Sequence, residues 1–340
     1  MKYNKVKKKK DILKMKNSSF IINYIKEDKS KLKIYSLVDE YFNEDNFCFL
    51  DKYNNEVAGF FYDYKYDSSK KVYFIELDIV SDQLYYPTLK LENEYFPLKI
   101  NFASYAKLNN IFYPAYLKND KYLIKVENNC FHICKNKPMY KLKYDLQCAL
   151  YLLRNKNFKC FFIRSLSNFL SFFKSREIWI ISDGVDNNCE NGEDFFKYVI
   201  ENKLNPDIKY YFAVDKKCDK FKFLNEEYSN IININSFRYK MLVLYSDYIF
   251  SSSLDNNIFD PFSEKDRYFI SDMYSYKFIY LHNKNLTKIK DIPLFVDRVF
   301  LNDEKSFNKI SKNDLFCNVI LITPSENNEN MKYIYDEINK

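Results

Sequence analysis

Proton transfer near neutral pH is work for an imidazole, and the chain holds two histidines. His282 closes the apolar run 278–281, which reads as a strand. A lone histidine at a strand end is ordinarily structural or exposed, so position alone gives it no role. His132 lies in the alternating run Cys130-Phe131-His132-Ile133-Cys134, where a packed or edge histidine is expected. A second centre is the polar loop Ser182-Asp183-Gly184-Val185-Asp186-Asn187-Asn188-Cys189-Glu190-Asn191-Gly192-Glu193. It holds two of the three glycines of the whole chain, Gly184 and Gly192. A residue this scarce stands where a side chain would not fit. Asn191-Gly192 precedes an amphipathic helix, so backbone N–H groups and the positive end of a helix dipole are expected there for a phosphate or carboxylate. Glu193 and Asp194 in the first turn also complement that dipole. The loop is neither a Walker loop nor a dinucleotide fingerprint, because the required glycines and Lys-Ser/Thr are missing. Ser251-Ser252-Ser253 has no base near it in sequence and is not a nucleophile elbow. Among the eight cysteines only Cys130 and Cys134 are close, and no second pair or histidine cluster completes a zinc site.

The elements that must position these residues fall into three stretches. From 18 to about 135, short runs rich in Ile, Val, Phe and Tyr (19–24, 33–38, 72–80, 96–102 and 122–126) alternate with turn-like clusters. That spacing predicts a small all-β sandwich or barrel. From 139 to 174 the period becomes helical. Leu142, Leu146, Leu150 and Leu153 form one stripe; Phe161, Ile163, Leu166, Phe169, Leu170 and Phe173 form the next, after a break at 154–157. Such stripes are expected to be core. The second also suits an interfacial helix, with Lys159, Arg164, Lys174 and Arg176 as the cations that would face a membrane. After 175, continuous apolar runs at 177–182, 208–214, 248–251, 278–281, 295–301 and 319–323 alternate with helical segments at 193–202 and 239–245. This predicts a parallel sheet covered on both faces, with ligands beyond the carboxyl ends of its strands.

Composition sets the limits. With 340 residues, 47% of them hydrophobic and 19% aromatic, the chain can bury a sizeable core. The net charge of +7 includes six lysines between Lys2 and Lys10, read as a solvated, disordered tail over 1–17. Acids nearly balance bases elsewhere and no nucleic-acid module is recognisable, so nucleic acid is not an expected partner. The lysine-rich opening with no apolar core after it is not expected to be a signal peptide, no run of about 20 apolar residues occurs in the sequence, and the cysteines suit free thiols. A cytoplasmic, reducing setting is expected, with peripheral attachment to the inner face of the plasma membrane left open.

At the 177–198 stretch a family resemblance enters. Ile178-Trp179-Ile180-Ile181-Ser182-Asp183, then Glu190-Asn191-Gly192-Glu193-Asp194-Phe195-Phe196-Lys197-Tyr198, resembles the CDP-glycerol glycerophosphotransferases of teichoic-acid-type polymer synthesis. Their pattern is Ile-Trp-Leu-Ile-Ser-Asp-Arg, a short loop, Asp-Asn-Gly-Glu and a helix with Phe-Lys-Tyr. The likeness continues through Tyr210 to Asp215, Ser251-Ser252-Ser253 with Asp260-Pro261-Phe262, Lys277 to His282, and Val319 to Pro324. Departures accompany it. Gly184 replaces the arginine after Ser-Asp, and Glu190 replaces the aspartate before Asn-Gly. Ser251-Ser252-Ser253 stands for Ser-Ser-His, and Leu281-His282-Asn283 for Gln-His-Gly; a one-residue slip would put Asn283 at the histidine position.

The resemblance implies an α/β plus all-β chain: a β-sandwich-like domain over 18–138, a helical connector over 139–175 and one Rossmann-like domain over 176–325. Residues 326–340 would be a tail or the start of a second Rossmann half, the nucleotide-gripping part of a GT-B-type fold, which is expected to be absent. The implied reaction moves glycerol phosphate from CDP-glycerol to a hydroxyl on a membrane-bound polyol-phosphate polymer, without a cofactor or metal. His282 would be the base, with Asp183, Asn191, Gly192, Glu193, Ser252 and Ser253 shaping the substrate side. A partner chain could supply the missing half. Two alternatives stay open: a non-catalytic module binding polymer, membrane or a partner, and a fragment of a GT-B glycosyltransferase with another donor.

Overall fold

The alternating β-rich runs of the first stretch form two sheets around one core. In the computed structural model the described residues are 18–28, 31–65, 70–91, 94–102, 115–116, 122–135, 138–184, 191–267, 269–270, 273–282, 296–302, 304, 307–308, 318–322 and 327–339. The chain separates into two compact units, Met1–Asn155 and Lys156–Lys340. In the first, the strands are β1 (Ser19–Asp28), β2 (Lys31–Asp39), β3 (Phe47–Asp51), β4 (Glu56–Val57), β5 (Phe60–Lys65) and β6 (Lys70–Asp78). Then come β7 (Gln83–Leu91), β8 (Glu94–Pro97), β9 (Lys99–Phe102), β10 (Ala115–Tyr116), β11 (Tyr122–Glu127) and β12 (Cys130–Lys135). One sheet runs β5-β6-β2-β1-β9; the other runs β10-β11-β12-β7-β3-β4, with β8 paired to β7. Phe20, Ile22, Ile34, Phe47, Phe49, Tyr73, Ile75, Leu89, Phe131 and Ile133, drawn from both sheets, bury their side chains in a common cluster. Phe47 and Tyr73 meet edge to face with centroids 4.6 Å apart, and Phe20 meets Phe49 likewise at 5.2 Å. The period-2 alternation therefore marks faces packed sheet on sheet. His132 is half-buried on β12, between β11 and β7, so it is an interior-strand residue and not an edge one.

Helix α1 (Pro138–Arg154) closes this unit. Here the expected core stripe is corrected. Leu142, Leu146, Leu150 and Leu153 are exposed, and the side chains turned inward are Cys148 and Leu152. Helical periodicity identifies a face without saying which surroundings it takes.

The second unit opens with α2 (Phe158–Ser171), whose first turn is capped by the Asn157 side chain accepting from the Cys160 amide. The predicted parallel sheet follows: β13 (Glu177–Ser182), α3 (Asn191–Glu201), β14 (Ile208–Val214), α4 (Asp219–Glu227), β15 (Ile231–Asn233), α5 (Phe237–Tyr245) and β16 (Tyr248–Ser251). The short α6 (Asn256–Phe259) and α7 (Glu264–Arg267) lead to β17 (Lys277–His282), β18 (Val296–Leu301), β19 (Asn318–Leu321) and α8 (Asn327–Asn339). The strand order is β15-β14-β13-β16-β17-β18-β19, with each pair parallel. Trp179, Ile180 and Ile181 are fully buried in the central strand, as continuous apolar runs in a sheet covered on both faces require. The Trp179 ring packs against Tyr210, Tyr248, Phe250 and Tyr335.

Three of the four cations expected to face a membrane from α2 are engaged by the protein instead. Lys159 pairs with Asp266, Lys174 pairs with Asp247 at 2.7 Å, and buried Arg164 donates to the Phe269 carbonyl at 2.7 Å. No helix among the described residues is long and apolar enough to cross a membrane.

Candidate functional site

Strand order locates the site. Counted within its own unit, β13 is the first strand; the chain proceeds to β14 and β15 on one side, then crosses to β16 on the other. The order reverses between β13 and β16, and in open α/β sheets the crevice beyond the carboxyl ends at such a point is where ligands bind. Ser182 and Ser251 are the last paired residues of these strands, and the Ser252 amide extends the pairing by donating to the Ser182 carbonyl at 3.2 Å.

Asp183, the first residue past β13, holds this crevice together. Its Oδ1 accepts from the Gly192 amide at 2.7 Å and from the Ser252 hydroxyl at 2.6 Å; its Oδ2 accepts from the Glu193 amide at 2.9 Å. One carboxylate thus caps the α3 amino terminus and ties it to β16. Both rare glycines fall where this arrangement leaves no room. A Cβ on Gly192 would lie 2.6 Å from Asp183 Oδ1 and 2.9 Å from the Ser182 carbonyl oxygen. Gly184 has φ +94°, and a Cβ there would meet Ser253 Cβ at 2.6 Å. The expected free amides of Asn191-Gly192 are accordingly corrected: those of Gly192 and Glu193 are already filled by Asp183. A sequence reading could not see this, because the capping group lies nine residues before the Gly192 amide it accepts from.

The electrostatics follow from burial. Asp183 is 7% exposed, and desolvation pushes its carboxyl up to about 6 despite the bonds from Ser252, Gly192 and Glu193. Glu193 feels the same penalty, but Lys197 and Lys220 outweigh it and hold the carboxyl below its ordinary value. These pairs measure 2.7 Å and 2.9 Å. Glu193 is therefore a counter-ion for two lysines and stays charged.

The remaining residues distribute around the brace. Asn191 begins α3. Ser253 is half-buried against Gly184; its amide donates to Ser251 Oγ at 3.0 Å and its carbonyl accepts from that hydroxyl at 2.7 Å. Ser252 donates to a carboxylate, an arrangement that positions and does not activate it. His282 ends β17, its backbone paired with Leu301. Since Tyr280 is paired with Ser251, His282 lies two residues further along the same carboxyl edge, one strand from the switch point. Asn283 and 185–190 lie outside the described residues.

A buried network behind the β16 loop went unread in the sequence. Tyr274 donates to Asp260 at 2.7 Å, Arg267 pairs with Asp260, and Tyr276 donates to the Phe259 carbonyl at 2.7 Å. Burial pushes the Asp260 carboxyl up, against Tyr274 and Arg267. Asp260-Pro261-Phe262 was the signal available. A cleft of about 420 Å³, lined in part by Arg176, Glu177, Asn205 and Asn339, opens at the amino-terminal edge of the sheet, away from the switch point. Among the described residues no cluster of His, Cys, Asp or Glu could hold a metal ion.

No protein-family model matches the chain. The minor teichoic acid biosynthesis protein GgaB of Bacillus subtilis (strain 168) is 26% identical to it over 194 residues, 54% of this chain and 21% of GgaB. The similarity is a distant, family-level one, and the chain spans about a fifth of the length of that relative.

Proposed function

We propose that this chain works in the synthesis of teichoic-acid-type cell-wall polymers, and that its reaction is glycerophosphate transfer from CDP-glycerol to a polyol-phosphate polymer. The observation that carries this reading is the doubly wound sheet with a glycine-bounded crevice at its switch point, in a chain similar to GgaB. We read residues 176–325 as the α/β domain presenting the acceptor side, 18–138 as the β domain and 139–175 as the connector.

In this reading a terminal hydroxyl of the polymer enters the crevice, and its proton passes to the His282 imidazole as the oxygen attacks the glycerol-phosphate phosphorus. The new P–O bond forms as the bond to CMP breaks, and CMP leaves with the electron pair. Developing charge on the diphosphate needs donors. The Gly192 and Glu193 amides are committed to Asp183, so they do not serve. Asp183 and Ser252 are positioning residues that tie the end of β13 to that of β16, Gly192 takes the Asp183 cap, and Asn191 and Ser253 line the same side.

That commitment also favours a second reading, a module that binds polymer without turning over a donor. Incubation with poly(glycerol phosphate) and radiolabelled CDP-glycerol tests both. Polymer binding with labelled product, lost in His282→Ala but with polymer affinity kept, is the expected result. Polymer binding with no CDP-glycerol affinity supports the module instead. Neither binding nor transfer would overturn both readings.

A further inference from the structure

Three successive residues just beyond the crevice loop, 258–260, are each gripped by a tyrosine hydroxyl from elsewhere in the unit. Tyr239 of α5 donates to the Ile258 carbonyl, Tyr276 donates to the Phe259 carbonyl at 2.7 Å, and Tyr274 donates to the Asp260 carboxylate at 2.7 Å. The need for them is local. Helix α6 has four residues, too few to hold on its own, and its last carbonyls find no acceptor role within it. Ile258 and Phe259 are buried, so water does not serve those oxygens. Glycine is the usual way to end a helix, but this chain has three glycines and 32 tyrosines, and buried hydroxyls take the carbonyls instead.

The grip carries through to the crevice. The Ile258 amide donates to the Asp255 carbonyl at 3.0 Å, and the Asp255 side chain accepts from the Asn257 amide at 2.9 Å. The Asp255 amide in turn donates to the Ser253 hydroxyl at 3.3 Å, and Ser253 is bonded to Ser251 as described above. No glycine lies between 251 and 260 to give the run slack. The Ile258 side chain also lies against the other wall, its Cδ1 3.8 Å from where a Cβ on Gly184 would stand. The loop is thus fixed at its far end by the tyrosines and at its near end by the bond from Ser252 to Asp183.

We infer that Tyr239 and Tyr276 are positioning residues for the crevice: by holding the Ile258 and Phe259 carbonyls they set where Ser252 stands against Asp183. This role concerns how the crevice is held, and it stands or falls separately from the reaction proposed for it.

Hydrogen exchange of the full chain separates positioning from plain stabilisation. Tyr239→Phe and Tyr276→Phe each remove one oxygen and keep the ring. Tyr245→Phe is the control, since its hydroxyl donates to the Ser167 carbonyl in α2 at 2.9 Å and not to the loop. The expected result is exchange about fivefold faster at 251–255 and at the Gly192 and Glu193 amides in either loop variant, and no such change in the control. Asp183 supplies a second readout. Ser252 favours its ionised form, against burial and the charge of Glu193, which Lys197 and Lys220 hold in place. A displaced Ser252 should raise the pH at which Asp183 ionises, read from the stability difference between each background and the same background with Asp183→Asn; a general loss of stability leaves that pH where it is. Tyr276→Phe carries the test alone if Tyr239→Phe fails to fold. Faster exchange confined to 256–260, a rise spread evenly over the unit, or an unmoved ionisation of Asp183 would overturn the inference.

Discussion

The Asp183→Asn variant offers the sharpest test of how the crevice is built. In the folded protein the carboxyl is pushed up from 3.8 to about 6, chiefly by burial. The folded state therefore binds more protons than the unfolded state between those values, and stability falls as pH rises through that window. The stabilisation from keeping Asp183 neutral is fully present below pH 3.8 and gone above pH 6. Two pH units at 1.36 kcal/mol each amount to about 3 kcal/mol. The asparagine cannot ionise and lacks this slope. Its single carbonyl can still accept from Gly192 and Ser252, at the cost of turning an NH₂ towards the Glu193 amide. The advantage of wild type over variant should thus shrink by about 3 kcal/mol from pH 4 to pH 7. Urea unfolding followed by Trp179 fluorescence measures it, because this is the one tryptophan, buried in β13 four residues before Asp183. Taking the difference between the proteins cancels the opposite slopes of Asp39, Glu193 and Asp266, whose carboxyls are held low. A flat difference curve would refute the reasoning. A curve of opposite sign would mean that the three hydrogen bonds outweigh burial.

Other outcomes follow from the same geometry. Ser252→Ala removes a donor that favours the ionised carboxyl, so the midpoint of the difference curve should move to higher pH. Gly192→Ala should cost about 1–3 kcal/mol in urea unfolding, because its Cβ meets a carboxylate and a carbonyl. Gly184→Ala should cost a similar amount and be partly rescued by Ser253→Gly, which removes the clash but leaves the positive φ, as a double-mutant cycle would register. Arg164→Met should lower stability by about 1–3 kcal/mol through the lost bond to the Phe269 carbonyl.

The sequence is most legible where a run is apolar throughout. The runs 177–182, 208–214 and 248–251 have the bounds of β13, β14 and β16, because strands buried on both faces need no alternation to be recognised. Short or polar elements escape. β15 has three residues, and α4 buries only Leu224. In α8, Met331, Ile334 and Ile338 do recur at helical spacing, but asparagines at its start mask the pattern. Faces are harder than elements: the leucines of α1 and the phenylalanines of α2 show helices without showing that the stripes point outward. At the site, the residues alone marked the 182–193 loop, and only the family resemblance set Asp183, Asn191, Gly192 and Glu193 beside Ser252 and Ser253. Sequence could not show that Asp183 fills the helix amides, because that contact depends on how far α3 sits from the β13 end. Nor could it give reasons for the glycines, which are set by Asp183 Oδ1 and Ser253 Cβ.

The pairing of β13 with β16 has a consequence for how the chain is made. Asp183 and Ser252 are 69 residues apart, so the crevice closes a long loop while β13, β14 and β15 pair with closer neighbours. During synthesis those three strands can assemble first, which leaves the far side of β13 without its partner until residue 251 has emerged. Ile180 and Ile181 then lie on an apolar, unpaired strand edge, the kind of surface that recruits strands from other chains. The feature that makes the crevice thus also leaves an interval in synthesis when an apolar strand edge is open to other chains.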